Sequence, residues 1–249
     1  MKKILSLALT AVMLLSMLSL IPFSTSAAAW DGTTATEFTG KGTASDPYII
    51  ASAENLKYLQ KMVADGEDYR GEYFTQTADI DLNGKEWTPI GDSGMYFSGV
   101  YDGLGHEIKG LFISDGTLTY CGLFGYITSD YNNETGIMNL KLSGEIKIDN
   151  LEKDAGIGAL CGWVYKDSAD SFKIEKIYNI TNNVNITINA NAKQPRLGAV
   201  LGYAFNAEVF NVVNNGNIDY IGSAHTRIGG IVGQTNRTHY KNCVNNGNL

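Results

Sequence analysis

The chain has 249 residues, of which 44% are hydrophobic and only 18% charged. That is enough apolar side chain for a folded core, and too little charge for a coiled coil or an array of solvated helices. A net charge of −7 argues against nucleic acid and anionic membrane surfaces as partners, because both need a basic footprint.

Lys2 and Lys3 open the chain, an apolar run extends from Ile4 to Phe23, and Ser24-Thr25-Ser26-Ala27-Ala28-Ala29 comes next. A basic start, an apolar middle and small residues at the end predict a secretory signal peptide over 1–29, cut after Ala27 or Ala29. The competing reading is a membrane anchor, for which the run is long enough. No cysteine follows the run to take a lipid, and no second long apolar segment exists. The mature chain is therefore expected to be secreted or held at the cell surface, without membrane insertion.

Ser52 to Gly66 is the one segment that reads as an amphipathic helix. Leu56, Leu59 and Val63 share a face, Ser52 is placed to cap the start and Gly66 to stop the end. Residues 30–70 are read as an N-terminal cap that shields the unpaired edge of the first coil. Strands are expected near Tyr73–Leu82 and His106–Ile113.

From residue 71 to 249 a pattern repeats. Cys121-Gly-Leu-Phe-Gly125, Gly158-Ala-Leu-Cys-Gly162, Gly198-Ala-Val-Leu-Gly202 and Gly229-Gly-Ile-Val-Gly233 share one form. Each is followed by an asparagine, Asn139, Asn179, Asn211 and Asn242, after an apolar or aromatic pair in the first three and after Tyr240-Lys241 in the last. Five residues beyond each lie Gly144, Val184, Gly216 and Gly247, and two further on Ile146, Ile186, Ile218 and Leu249. The order is fixed while the spacing varies, as expected for loops of different length on one repeating coil. Between the anchors, apolar residues alternate as in strands, for example Glu145–Asp149 and Asn183–Asn189. Short strands with glycine corners and this repeat predict an all-β fold, a right-handed parallel β-helix (β-solenoid) with one N-terminal capping helix. The four asparagines fall at one coil position and are expected to hydrogen-bond along the axis as a ladder. The repeats stop inside a coil at Leu249, so this edge is expected to pair with further coils or with another subunit.

The three cysteines Cys121, Cys161 and Cys243 match no disulfide framework and no zinc spacing, and are read as buried small hydrophobes. Four N-x-[ST] sequences occur, at Asn133, Asn179, Asn185 and Asn236.

Gly42-Thr43-Ala-Ser-Asp46-Pro47-Tyr48-Ile49-Ile50, Ala78-Asp79-Ile80-Asp81-Leu82-Asn83-Gly84 and Trp87-Thr88-Pro89-Ile90-Gly91 precede the repeats, with Phe97-Ser-Gly99-Val-Tyr-Asp102-Gly103-Leu-Gly105-His106 after them. Together with the Gly-Leu-Phe-Gly segments, this order resembles the GLUG-repeat proteins of bacterial cell surfaces, over about residues 37–249. The resemblance implies a right-handed parallel β-helix on a secreted or surface protein, such as an adhesin of Gram-positive anaerobes, and such repeats also stand beside catalytic domains in some secreted peptidases. It carries no catalytic residues. It implies structural roles for Gly125, Gly162, Gly202 and Gly233, and a turn formed by Asp102, Gly103 and Gly105. Val184, where the other repeats have glycine, departs from the pattern and leaves that corner's geometry open.

Candidate chemistry is sparse. Asp79 and Asp81 share a strand face and suit either acceptance of backbone N–H bonds at a strand end or a weak calcium site. His106 fits a surface or turn-packing role, and His225 and His239 are placed in loops. No Ser/His/Asp order, phosphate-cradling loop or dinucleotide motif accompanies them. No catalytic, metal or cofactor site is assigned, and the chain is read as a non-enzyme. The aromatic residues lead instead: Tyr126, Trp163 and Tyr203 each follow a repeat glycine, and Gln234 takes that place in the fourth repeat. In register they form a column, either an outward platform for a glycan or protein ligand or inward core stacking. The function expected is a non-catalytic extracellular module for adhesion or ligand binding. An accessory region of a larger secreted enzyme such as a peptidase is the alternative, with a polysaccharide lyase or hydrolase behind it.

Overall fold

The computed structural model describes residues 30–128, 134–166, 175–191 and 193–249. The predicted signal over 1–29 and the sequence at Asn133 lie outside those residues.

The helix spans Ala53–Ala64, and the predicted face of Leu56, Leu59 and Val63 is fully buried. Gly66 ends it with a φ of +110°, its N–H donating to the Val63 carbonyl at 3.1 Å. Glycine takes that backbone conformation without strain. Ser52 occupies the N-cap position, but its hydroxyl does not cap. It donates to Asn55 Oδ1 at 3.4 Å, and the same oxygen accepts the Ala51 N–H at 3.2 Å. The segment predicted as a cap also supplies a strand, Tyr48–Ile50, which pairs in parallel with Tyr73–Gln76. Aromatic rings fill the space between, with Phe38 5.1 Å from Tyr48 and 5.4 Å from Phe74, centroid to centroid.

Beyond the helix the described chain is mostly strand, in three parallel sheets. The first has 11 strands, running from Tyr48–Ile50 through Tyr73–Gln76, Val100–Asp102, Gly136–Ile148, Glu175–Asn191 and Ala207–Asn214 to His239–Lys241. The second has Phe124–Ile127, Cys161–Tyr165, Leu201–Phe205 and Val232–Asn236 as neighbours. The third has Tyr120–Cys121, Gly156–Ile157, Arg196–Gly198 and Arg227–Gly229. None of the three closes on itself among the described residues.

Register explains the core. Ile137 pairs with Ile177 and Ile177 with Val209; Leu140 pairs with Ile180 and Ile180 with Val212. All six are fully buried. Like residues thus stack on like along the first sheet, and each such side chain contributes about 2 kcal/mol by leaving water. Val184, the departure from the repeat pattern, pairs with Gly144 and is itself buried in the core, so the valine fills a strand position there.

A turn of two or three residues, with a glycine at or just before its start, joins each third-sheet strand to the next second-sheet strand. Its tip residues Leu123, Ala159, Leu160, Ala199 and Val200 are fully buried. Backbone bonds link successive tips: Leu123 N–H donates to Ala159 O at 2.9 Å and Leu160 N–H to Val200 O at 3.0 Å. A turn with an apolar tip is therefore driven into the core in three of the repeats, while the tip of the fourth, Ile231, is half-buried.

The predicted asparagine ladder is present. Asn179 Nδ2 donates to Asn139 Oδ1 at 2.8 Å, Asn211 to Asn179 at 3.0 Å and Asn242 to Asn211 at 3.0 Å. Asp102 extends it by one step, its Oδ1 accepting from Asn139 Nδ2 at 2.8 Å. These asparagines have φ between 52° and 54°, the left-handed region that asparagine tolerates better than other non-glycine residues. Each bends its strand and lets the apolar alternation resume one residue later. Asn179→Ala is expected to cost about 1–2 kcal/mol in urea denaturation, and Asn179→Gly clearly less, because glycine keeps the bend and loses only the ladder.

Cys121 and Cys161 are buried free thiols, as predicted; Cys243 is only half-buried. His239 begins a strand, where a loop was expected, because Glu208 pairs with it across the first sheet. The last strands leave Ile221, Tyr240 and Val244 exposed, as is Leu249 beyond them.

Candidate ligand-binding face

The carboxylate pair is engaged structurally. Asp79 Oδ1 accepts the Glu107 N–H at 3.0 Å and lies 3.2 Å from His106 Nδ1. Asp81 Oδ1 accepts the Asn83 N–H at 2.8 Å, while its other oxygen lies 3.4 Å from Lys109 Nζ. The Glu107 N–H, then His106, hold the Asp79 carboxyl below its ordinary value against the opposing effect of burial. A depressed folded value means that the contribution is present above the unfolded value, about 3.9, and is lost as pH falls through the folded one. Asp79→Asn should therefore be less stable than the parent at pH 7, and the gap should close in acid, read by thermal melts across pH. No group of three or more His, Cys, Asp or Glu is placed to hold a metal ion among the described residues.

The aromatic column forms in register. Trp163 pairs with Tyr126 on one side and with Tyr203 on the other, and Tyr203 pairs with Gln234. The Trp163 and Tyr203 rings stack at 4.1 Å with 29° between planes. All three rings are half-buried, a position between the two that the sequence left open. The cause is a facing column on the third sheet, in which Tyr120 pairs with Gly156, Gly156 with Arg196 and Arg196 with Arg227. Tyr120 meets Tyr126 and Trp163 edge-on at 5.0 and 5.7 Å. Gly156 leaves room for the indole, since a Cβ there would stand 2.9 Å from Trp163 Cε3. The Arg196 guanidinium lies 5.0 Å over Trp163 and 6.0 Å over Tyr203, and its Nε donates to Gln234 Oε1 at 2.6 Å.

Two positions along the strands a second pair of rings stands, Tyr165 and Phe205, stacked at 5.1 Å, with Arg237 5.8 Å over Phe205. Burial pushes the Tyr126 and Tyr203 phenols up, so both stay protonated near neutrality. The foot of the column opens into a groove of about 600 Å³, walled by the loop Asp92–Met95, by the end of the helix at Gln60, and by Tyr120 and Lys153. Chemically, the face offers ring surfaces for stacking on C–H groups, hydroxyl and amide donors, and fixed positive charge.

No family model matches the chain, and no solved structure matches it. Over 126 residues, 49% of its length, it is 35% identical to the "Putative Gly-rich membrane protein" of Evansella cellulosilytica, of which it covers 14%. Over 158 residues, 56% of its length, it is 31% identical to "Halomucin" of Haloquadratum walsbyi, of which it covers 2%. The chain thus spans a small part of either relative. No helix among the described residues is long and apolar enough to cross a membrane.

Sequence reasoning found Tyr126, Trp163 and Tyr203 and missed Tyr120, Arg196, Tyr165 and Phe205. The period-two spacing of Trp163-Val-Tyr165 and Tyr203-Ala-Phe205 was the available signal for the last two. Tyr120 and Arg196 carry no local signal, because only the turn between the sheets sets them opposite the column.

Proposed function

We propose that the chain is a non-catalytic extracellular module, a right-handed parallel β-helix of GLUG-type repeats, that binds an extended glycan along Tyr126, Trp163 and Tyr203. The observation that carries this reading is the in-register, half-exposed ring column beside a guanidinium. The β-helix is supported by the ladder separations of 40, 32 and 31 residues, each returning the chain to the same sheet in parallel register. Export and surface placement rest on the N-terminal sequence and agree with the names of the two relatives. The exposed strands at the Leu249 end are the edge on which further coils or another subunit would add.

The test is titration of the chain with cellohexaose, chitohexaose and hexagalacturonate, following Trp163 emission. Trp30 and Trp87 are 3% and 1% exposed and contribute a constant background. Saturable binding is expected with at least one of them, weakened about tenfold by Tyr203→Ala, since a stacked ring is worth about 1.4 kcal/mol. Absence of binding to all three would remove the reading, and turnover would replace it with the lyase or hydrolase. The accessory-region alternative draws on the small shares of the relatives that the chain covers, 14% and 2%.

A further inference from the structure

The facing column on the third sheet is rich in positive charge. Arg196 and Arg227 stand on neighbouring strands, and Lys153 stands on the groove at the column's foot. None of the three lies within ion-pair distance of a carboxylate among the described residues. Arg196 spends its Nε on Gln234 Oε1, which fixes the plane of the guanidinium. This happens in a chain of net charge −7 that has four arginines, of which Arg196, Arg227 and Arg237 all flank the aromatic face. An arginine without a carboxylate partner, held beside stacked rings with a second arginine on the next strand, is a geometry that receives carboxylates.

The groove adds shape. Pro89, Met95 and Tyr120 give it apolar surface, and Gln60, Thr119 and Lys153 give it polar donors. The one acid of its loop, Asp92, turns its Oδ1 back to the Gly94 and Met95 N–H groups at 2.7 and 2.9 Å. Its volume, about 600 Å³, is in the range of small-ligand sites. Tyr120 is both a wall of this groove and the edge-on partner of Tyr126 and Trp163, so groove and column are continuous. Successive strands rise about 4.8 Å, close to the advance of one sugar ring in an extended chain.

We propose that the ligand is an extended polyuronate, with a terminal sugar in the groove beside Lys153, rings lying along Tyr120, Trp163 and Tyr203, and carboxylates held by Arg196 and Arg227. This inference rests on the glycan-binding reading above and adds the charge of the ligand.

The deciding experiment compares hexagalacturonate with its methyl ester, which keeps the backbone and removes the charge, and with hexaglutamate, by calorimetry on the full chain. The acid should bind about tenfold more tightly than the ester, and about 0.5 M salt should abolish the difference. Arg196→Gln with Arg227→Gln should remove the preference for the acid over the ester, with an unchanged far-ultraviolet circular dichroism spectrum showing that the variant is folded. Arg196→Lys should keep part of it. Equal affinity for acid and ester overturns the inference and leaves glycan binding intact. Hexaglutamate binding as tightly as hexagalacturonate overturns it in favour of an acidic peptide. No binding by either oligosaccharide removes both readings.

Discussion

Asn214→Leu should destabilise the protein by roughly 4 kcal/mol, because one fully buried side chain satisfies four groups at once. Asn214 Nδ2 donates to Gly216 O at 2.8 Å and to Asn245 Oδ1 at 2.7 Å, while its Oδ1 accepts from Asn182 Nδ2 at 2.8 Å and from the Gly216 N–H at 3.1 Å. Leucine keeps the branching but is larger, and it leaves the Gly216 N–H and C=O and one N–H of the Asn182 amide unpaired away from water. Asn214→Asp separates volume from hydrogen bonding. It keeps both acceptor contacts but sets a second oxygen against Gly216 O and Asn245 Oδ1, so its carboxyl is driven to hold a proton and its folded value rises. A raised folded value for an acid means that the penalty is absent at low pH and grows once pH exceeds the unfolded value of about 3.9. Urea denaturation at pH 3 and pH 7 should therefore show a strongly pH-dependent loss for Asn214→Asp and a flat one for Asn214→Leu. A loss under about 1 kcal/mol for Leu would mean that the ladder is incidental to the fold.

This inner ladder marks where sequence reading ran short. Leu142 pairs with Asn182, and Asn182 with Asn214, so an apolar core column becomes an amide column part-way along the stack. Sequence placed Asn139, Asn179, Asn211 and Asn242 correctly because the surrounding apolar pattern repeats around each. Asn182, Asn214 and Asn245 look like ordinary turn asparagines beside Asn183, Asn215 and Asn246, and nothing local says that one of each pair points inward. The helix face at Leu56, Leu59 and Val63 was legible because helical spacing alone determines it. Ser52 as a side-chain cap was not, since its hydroxyl turns to donate to Asn55 Oδ1 instead. At the candidate site the repeat order gave the register of Tyr126, Trp163 and Tyr203, as one column needs only equal counting from each glycine. Arg196 escaped because its relation to Trp163 is across two sheets, set by the tight turn through Ala199 and Val200 and by the missing side chain at Gly156.

Gly162→Ala should remove that relation and much of the stability with it. A Cβ at Gly162 would stand 2.6 Å from Cys121 N, 2.8 Å from Gly156 O and 2.9 Å from Tyr120 C, all backbone of the facing sheet. No rotamer relieves a clash between Cβ and main chain, so the second and third sheets must part. The expected cost is about 3 kcal/mol, at the upper end for overpacking, which lowers the melting temperature of a chain this size by roughly 10 °C. Parting the sheets also lifts Arg196 off Trp163, so the indole emission should shift to the red in any fraction that still folds. Gly105→Asn is the control. Gly105 has a φ of +81° with nothing within 4 Å of the added carbon, and asparagine tolerates that backbone, so the change should stay within about 1 kcal/mol. If Gly162→Ala melted with the parent, the repeat glycines would be turn residues only. The close approach of the two sheets, and with it the half-buried setting of the ring column, would then need another cause.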